Sequence, residues 1–309
     1  MNHSKDMIYD LIIVGTGPAG LTASLYAARY KLKTLAIGNF PGGLANEAHK
    51  ICNFPTEVEI TGMDLSEKMA KTALSQGALI ENDEVVGIKN EGDYFSVTTR
   101  SKTYKTKTVL LATGMQHRKL GLEREKEFVG RGISYCATCD GMFNKDKIVG
   151  VVGGNDSALT ASLYLAEIAK KVFLIYRGSD LRGEPVWIEK VQKNKKIEVL
   201  LETNIKKFVG DAFLDGVILD RPYNNGDTLP LQSLFIEIGS EPKHPEYIFE
   251  LGVALDEKQF IKVTQDQKTS VPGIWSAGDI TNASNGFRQI ITACSEGAIA
   301  AENIFHYLQ

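Results

Sequence analysis

Two stretches of this chain follow one plan. The segment Asp10-Leu11-Ile12-Ile13-Val14 leads into Gly15-Thr16-Gly17-Pro18-Ala19-Gly20, then a helical pattern over 21–30 and an apolar segment over 34–37. The order returns at Ile148-Val149-Gly150-Val151-Val152 and Gly153-Gly154-Asn155-Asp156-Ser157-Ala158, with a helical pattern over 158–170 and an apolar segment over 172–175. A strand that turns on glycines into a helix and returns to a neighbouring strand is the building unit of a nucleotide-binding sheet. Two such units in 309 residues predict an α/β chain with two Rossmann-like nucleotide-binding domains.

In the first unit Gly15, Gly17 and Gly20 have the G-x-G-x-x-G spacing. The first glycine makes the tight turn, the second admits a pyrophosphate and the third lets helix and strand pack closely. The helix N-terminus, entered through Pro18 and Ala19, offers its N–H groups to the phosphates. No acid follows the second strand to hold a ribose, since the chain reads Ile37-Gly38-Asn39. Pro41-Gly42-Gly43-Leu44 is a second place where backbone can approach a flat ligand. The later unit reads G-x-N-x-x-A. Asn155 replaces the middle glycine, and its tolerance of left-handed backbone keeps the turn possible while tightening the approach. Here too the acid is missing. Tyr176-Arg177-Gly178-Ser179-Asp180-Leu181-Arg182 instead offers Arg177 and Arg182, charges that favour a 2′-phosphate and therefore NADPH over NADH.

The remaining segments fit around these units. Val109 to Gly114 and Gly273 to Asp279 each read as a strand ending on glycine, Tyr94 to Thr99 with Thr103 to Thr108 as a hairpin, and Ser295 to Tyr307 as a closing helix. A nucleotide domain interrupted by a second one accounts for the order, with residues 1–116 and 245–309 in the first and 117–244 in the second.

Shortly before the second glycine loop stands Cys136-Ala137-Thr138-Cys139-Asp140-Gly141. Thiols at this spacing close a small disulfide ring, and the spacing favours the thiolate form that attacks disulfides. Asp140 adds a proton carrier beside the sulfurs. A zinc site needs two more ligands. Cys52 and Cys294 are isolated, and His3, His49, His117, His244 and His306 form no H-x₃₋₅-H pair, so redox chemistry is expected and no metal. A formal net charge of -3 excludes a generally basic, nucleic-acid-binding surface. No apolar run approaches the roughly 20 residues of a membrane span. The polar Met1-Asn2-His3-Ser4-Lys5-Asp6 has no signal-peptide core, and four cysteines are too few for a secreted scaffold, so a cytoplasmic location is expected. Cys52 and Cys294 are expected to be buried or half-buried, Glu123-Arg124-Glu125-Lys126-Glu127 to form a solvated face, Trp187 and Trp275 to pack internally, and Lys193 to Lys196 to sit on an exposed turn.

In this order the motifs resemble those of the low-molecular-weight thioredoxin reductases, from about Asp10 to the C-terminus. The resemblance is carried by Gly15 to Gly20, Pro41-Gly42-Gly43, Asn53-Phe54-Pro55, Ala112-Thr113-Gly114, Ser134-Tyr135-Cys136-Ala137-Thr138-Cys139-Asp140-Gly141, and the closing Gly278-Asp279-Ile280 with Arg288-Gln289-Ile290-Ile291-Thr292-Ala293. It implies FAD in the split domain, with Gly15, Gly17, Pro18, Ala19 and Gly20 at the pyrophosphate. Gly38, Pro41, Gly42, Gly43, Leu44, Asn53, Thr113, Gly114, Gly278, Asp279, Arg288, Gln289 and Ile290 would surround the rest. It implies NADPH in the inserted domain, on Gly153, Gly154, Asn155, Asp156, Ser157, Arg177 and Arg182. By the same resemblance Cys139 faces the flavin, Cys136 is the interchange thiol and Asp140 is the acid. The implied assembly is a homodimer that alternates between two domain orientations and reduces thioredoxin or a glutaredoxin-like protein. Departures fall on the donor side. The family commonly has three glycines where this chain has Gly153-Gly154-Asn155, and His-Arg-Arg-x-x-x-Arg where it has Tyr176-Arg177-Gly178-x-x-x-Arg182. Leu44 also replaces a common glutamine.

The expected activity is therefore thioredoxin-disulfide reduction, from NADPH through FAD and the Cys136–Cys139 pair. The eroded second loop leaves open a ferredoxin or another flavin system as donor. A redox-sensing flavoprotein without turnover is the reading of a different class, and Asp140 speaks against it.

Overall fold

The computed structural model describes residues 7–224 and 226–309. The N-terminal hexapeptide, on which the signal-peptide reading rests, lies outside the described residues. The chain forms two compact units: one ends its first segment at Gln116 and resumes at Pro242, and the other runs from His117 to Glu241. The second is thus inserted into the first, the fold class that the repeated plan predicts.

In the first unit the strand Ile8–Val14 pairs in parallel with Thr34–Ile37 on one side and Thr103–Leu111 on the other. Leu11, Ile12 and Ile13 have no solvent exposure, as expected of a strand with both faces covered. Leu79–Glu81 extends the parallel edge, while Phe95–Thr99 and Val85–Asn90 add an antiparallel wing. Thr103–Leu111 is one nine-residue strand, although the sequence reads as a hairpin arm and a separate parallel strand. It changes neighbour along one edge: residues 103–106 pair antiparallel with 95–98, and 109–111 pair parallel with 274–276.

The first helix, Pro18–Arg29, begins three residues before the apolar pattern, because proline at the first helical position loses no hydrogen bond. The closing helix also starts earlier than the pattern implies, spanning Ile290–Tyr307. Its β-branched opening obscures a capping box in which Thr292 Oγ1 accepts the Gln289 N–H at 3.1 Å. These two helices approach closely on small residues. A Cβ on Gly297 would stand 2.1 Å from the Ala19 carbonyl oxygen.

The inserted unit has a parallel sheet in the order Ile197–Leu200, Lys171–Ile175, Ile148–Val152, Ser233–Ile236, Ile133–Ser134. A three-stranded antiparallel sheet, Ile205–Gly210, Leu214–Tyr223 and Gly226–Pro230, packs its Phe208, Val217 and Leu229 into a shared core with Phe173, Ile175 and Ile236. The helix Asp156–Ile168 belongs to a second core with Val149, Val151, Leu174 and Phe235. Among the described residues no helix is long and apolar enough to cross a membrane.

Three local expectations are corrected. Cys52 is exposed, standing beside the two-residue bridge of Ile51 with Ile60, where alternation turns Ile51 inward and its neighbour out. Glu125, within the charge run expected to be solvated, is 4% exposed, because it is the acceptor for the turn before it. Asn155 is extended, with φ -100°, so its tolerance of left-handed backbone is not what places it there.

Candidate active site

In the first unit a cavity of about 530 Å³ opens where the strands Ile8–Val14 and Thr34–Ile37 end. The carboxyl ends of parallel strands are where such sheets bind ligands. Gly15, Gly17, Pro18, Ala19, Gly38, Gly42, Gly43, Leu44, Thr113, Gly114, Gly278, Asp279, Arg288, Gln289 and Ile290 all line it. Gly20, Pro41 and Asn53 do not; each supports a residue that does or holds a neighbouring turn. A Cβ on Gly20 would stand 1.9 Å from the Gly15 carbonyl oxygen. The Pro41 carbonyl accepts Asn46 Nδ2 at 2.8 Å, and Asn53 Nδ2 donates to Gln289 Oε1 at 3.1 Å.

The glycines of the first loop are glycine for different reasons. Gly15 has φ +114°, and a Cβ there would stand 2.1 Å from the Ala112 carbonyl oxygen, so the protein itself requires it. Gly17 is not so constrained: the nearest atom to a Cβ there is the Gly42 carbonyl oxygen at 3.9 Å. It caps the first helix without a side-chain hydrogen bond, and no acid stands in the first turn. Free N–H groups, no negative charge and unfilled space beside Gly17 fit a dinucleotide's pyrophosphate.

At the far wall burial pushes the Asp279 carboxyl up to about 6, with Arg288 opposing the shift and Glu296 adding to it. The Arg288 guanidinium lies 3.8 Å from the Phe260 ring centroid, and its Nε donates to the Asp279 carbonyl at 3.2 Å. Buried Glu296 holds the turn after the Ile274–Ser276 strand by accepting the Gly278 N–H at 2.8 Å, Thr281 Oγ1 at 2.9 Å and Ser284 Oγ at 2.6 Å.

In the inserted unit Cys136 and Cys139 form a disulfide, with their Cα atoms 5.3 Å apart. Cys136 caps the short helix Ala137–Asp140, and its Sγ accepts the Cys139 N–H at 3.1 Å. The Cys136 N–H donates to Ser134 Oγ at 3.0 Å. Gly141 is required by packing, since a Cβ there would stand 2.6 Å from the Tyr164 ring. Cys139 is exposed while Cys136 and Asp140 are half-buried. Met142 and Phe143, which follow, are 66% and 75% exposed. Glu125 braces the strand leading to Cys136, accepting the Tyr135 hydroxyl at 2.7 Å together with the N–H groups of Leu120 and Gly121 at 3.0 and 2.7 Å.

A family model described as pyridine nucleotide-disulphide oxidoreductase matches residues 9–297. The chain is 36% identical to the thioredoxin reductase of Listeria monocytogenes, over 99% of this chain and 96% of that one. It is 39% identical to that of Treponema pallidum, over 97% of both. The crystal structure of Lactococcus lactis thioredoxin reductase matches with a TM-score of 0.90 at 34% identity, covering 97% of this chain and 99% of that one. The chain belongs to the thioredoxin reductases of the pyridine nucleotide-disulphide oxidoreductase family.

The second glycine loop of this reductase is built differently from the first. Gly153 repeats the role of Gly15, with φ +148° and a Cβ position 2.2 Å from the Glu237 carbonyl oxygen. At the helix start, however, Asn155 Oδ1 accepts the Ala158 N–H at 3.3 Å, and Asp156 stands in the first turn. Asp156 Oδ1 also accepts the Glu184 N–H at 2.6 Å, and Ser157 is exposed. The Arg182 N–H donates to the Gly154 carbonyl at 2.6 Å, which brings the Arg177 to Arg182 loop to the glycines. Both arginines are exposed, and among the described residues neither pairs with a carboxylate.

Several lining residues of the reductase's first cavity carry no sequence signal: Glu84, Val85, Lys243, Pro245 and Tyr247. Glu84 and Val85 arrive because the three-residue strand Leu79–Glu81 extends the parallel sheet. Lys243 is held against the Thr113-Gly114 turn, donating its N–H to the Gly114 carbonyl at 3.0 Å and accepting Thr113 Oγ1 at 3.2 Å.

Proposed function

We propose that this chain passes electrons from NADPH, through FAD held in the cavity of the first unit, to the Cys136–Cys139 disulfide and on to a small dithiol protein of the thioredoxin or glutaredoxin type. The observation that carries the reading is the disulfide itself, closed on a turn that exposes Cys139 and directs its N–H at Cys136 Sγ. The open glycine loop around Gly17 supports FAD, and the unpaired Arg177 and Arg182 support a 2′-phosphorylated nucleotide. The resemblance adds a homodimeric assembly, and the low cysteine count supports a cytoplasmic location.

FAD held by the 15–20 glycine loop and the Thr113-Gly114 and Gly278-Asp279 turns would supply hydride acceptance and two-electron transfer to the disulfide. In the reduced pair the Cys139 N–H stabilises negative charge on Cys136 Sγ, making Cys136 the attacking thiolate. Cys136 Sγ bonds to one sulfur of the substrate disulfide, and the other substrate sulfur leaves as a thiolate that takes a proton from Asp140. Cys139 then gives its thiol proton back to the Asp140 carboxylate and its Sγ attacks Cys136 Sγ, closing the ring and releasing the second substrate sulfur as a thiolate. Exposed Met142 and Phe143 supply adaptable apolar surface for the protein substrate.

The test is anaerobic. The purified yellow protein is titrated with NADPH until the flavin bleaches, then given oxidised thioredoxin, which restores the colour. Cys136→Ser and Cys139→Ser should each leave bleaching intact and abolish turnover. A colourless protein that takes up no FAD overturns the cavity assignment. A second reading, with the same cysteine chemistry but a donor other than a nicotinamide nucleotide, is favoured by Asn155, whose side chain takes an N–H that a pyrophosphate would use. Flavin that is bleached by reduced ferredoxin and stays oxidised with NADPH would establish it.

A further inference from the structure

Tyr176 directly follows the strand Lys171–Ile175, and its ring is wedged between two glycines. A Cβ on Gly154 would stand 2.6 Å from Cδ2, Cε1 and Cε2 of the ring, so the ring turns its face to Gly154. A Cβ on Gly178 would meet its Cε1, Cζ and Oη at 2.7, 2.9 and 3.0 Å. Neither glycine has a positive φ. Both are glycine because the ring fills the space a side chain would need.

The first unit reverses the arrangement. There the residue after the second strand is Gly38, and the loop residue is Thr16; a Cβ on Gly38 would stand 2.4 Å from Thr16 Oγ1. The side chain belongs to the loop, and Thr16 and Gly38 both border the cavity. In the inserted unit the loop contributes the glycine, and the side chain swings back from the strand end to cover it. Gly154 is buried as a result. A dinucleotide bound to such a loop lays its pyrophosphate on the helix N-terminus and its adenosine ribose against the residues after the second strand. The Tyr176 ring stands on that path.

We propose that Tyr176 is a gate on the second loop: a nicotinamide dinucleotide binds there only after the ring has left Gly154, so Tyr176 sets the enzyme's affinity for its electron donor. The inference rests on NADPH being the donor at this loop. The hydroxyl half of the ring lies against Gly178, and the side chain has two rotatable bonds about which it can swing away from Gly154. The gate also accounts for Gly178. The arginine that the family's pattern places there would need to displace the ring, and the Tyr176–Gly178 pair replaces the family's His-x-Arg as a coupled change.

The test uses the oxidised, FAD-loaded enzyme titrated calorimetrically with NADP⁺. Tyr176→Ala should tighten NADP⁺ at least tenfold, a change of about 1.4 kcal/mol. Tyr176→Phe should stay within twofold of the parent protein, because the ring rather than the hydroxyl fills the site. In anaerobic flavin reduction the concentration of NADPH giving half the limiting rate should fall by the same factor in Tyr176→Ala, with the limiting rate changed less than twofold. A general loosening of the unit does not produce that split. If Tyr176→Ala binds NADP⁺ no better, or Tyr176→Phe behaves like Tyr176→Ala, the gate is wrong, and NADPH bleaching of the parent flavin would still uphold the donor. If neither the parent protein nor Tyr176→Ala binds NADP⁺ and NADPH bleaches neither flavin, both the gate and the NADPH reading fall.

Discussion

The amide N–H of Cys139 points at Sγ of Cys136 from 3.1 Å. The two thiols of the reduced pair are therefore not equivalent, since the turn that joins them gives Cys136 Sγ a backbone donor. In the reduced protein Cys136 should react with iodoacetamide about tenfold faster than Cys139 at pH 7, read by mass spectrometry of the alkylated peptides. Equal rates, or a faster Cys139, would assign the attacking role elsewhere.

Gly17 and Gly20 separate ligand binding from folding. A Cβ on Gly17 meets no protein atom within 3.9 Å, whereas one on Gly20 would stand 1.9 Å from the Gly15 carbonyl oxygen. Gly17→Ala should leave the flavin-free protein's melting within about 0.5 kcal/mol of the parent, yet weaken FAD binding at least tenfold. Gly20→Ala should lower stability by about 1–3 kcal/mol before any ligand is added. Calorimetry on the stripped proteins, followed by FAD titration, distinguishes the two.

Asp279 links stability to pH. Burial raises its carboxyl from the model-compound value of 3.8 to about 6. Between those values the folded chain keeps a proton that the unfolded chain has lost, so this group's contribution falls as pH rises and stays low above pH 6. Asp279→Asn should therefore stabilise the flavin-free protein by about 1–3 kcal/mol at pH 8 and by almost nothing at pH 4. An equal gain at both values would show that the buried charge is not the cause.

Arg177 and Arg182 are exposed and unpaired among the described residues, and Arg182 is anchored to Gly154 through its backbone. A charge-assisted contact to a phosphate contributes about 1.5–3 kcal/mol, so each loss should weaken NADPH ten- to hundred-fold. Arg177→Ala with Arg182→Ala should bring NADPH down to the level of NADH, measured as the ratio of their kcat/KM values. A preference that survives the double change would place the 2′-phosphate on other residues. Gly178→Arg, which from sequence would be expected to supply a third cation, meets the Tyr176 ring first and should improve NADPH binding only together with loss of that ring.

Much of this reductase was legible in the chain because its chemistry is local. Gly15, Gly17 and Gly20, or Cys136 and Cys139, act within a single turn, so spacing along the sequence is also spacing in space. The hidden elements were those whose local signal is weak or divided. Thr103–Leu111 reads as two strands because its partners change midway, and Ile290–Tyr307 reads short because β-branched residues open it.

By itself the sequence determined the two βαβ units, the insertion of one within the other, the redox pair and the glycines that backbone geometry demands. All of these follow from short-range sterics and hydrogen bonding. Only the tertiary structure decided that Glu125 is buried as an acceptor and that Lys243 and Glu84 reach the cavity wall. It also decided that the Tyr176 ring, twenty-two residues from Gly154 in sequence, lies on that glycine's face. Such outcomes depend on which surfaces parallel strand pairing brings together, and no window of local sequence contains that information.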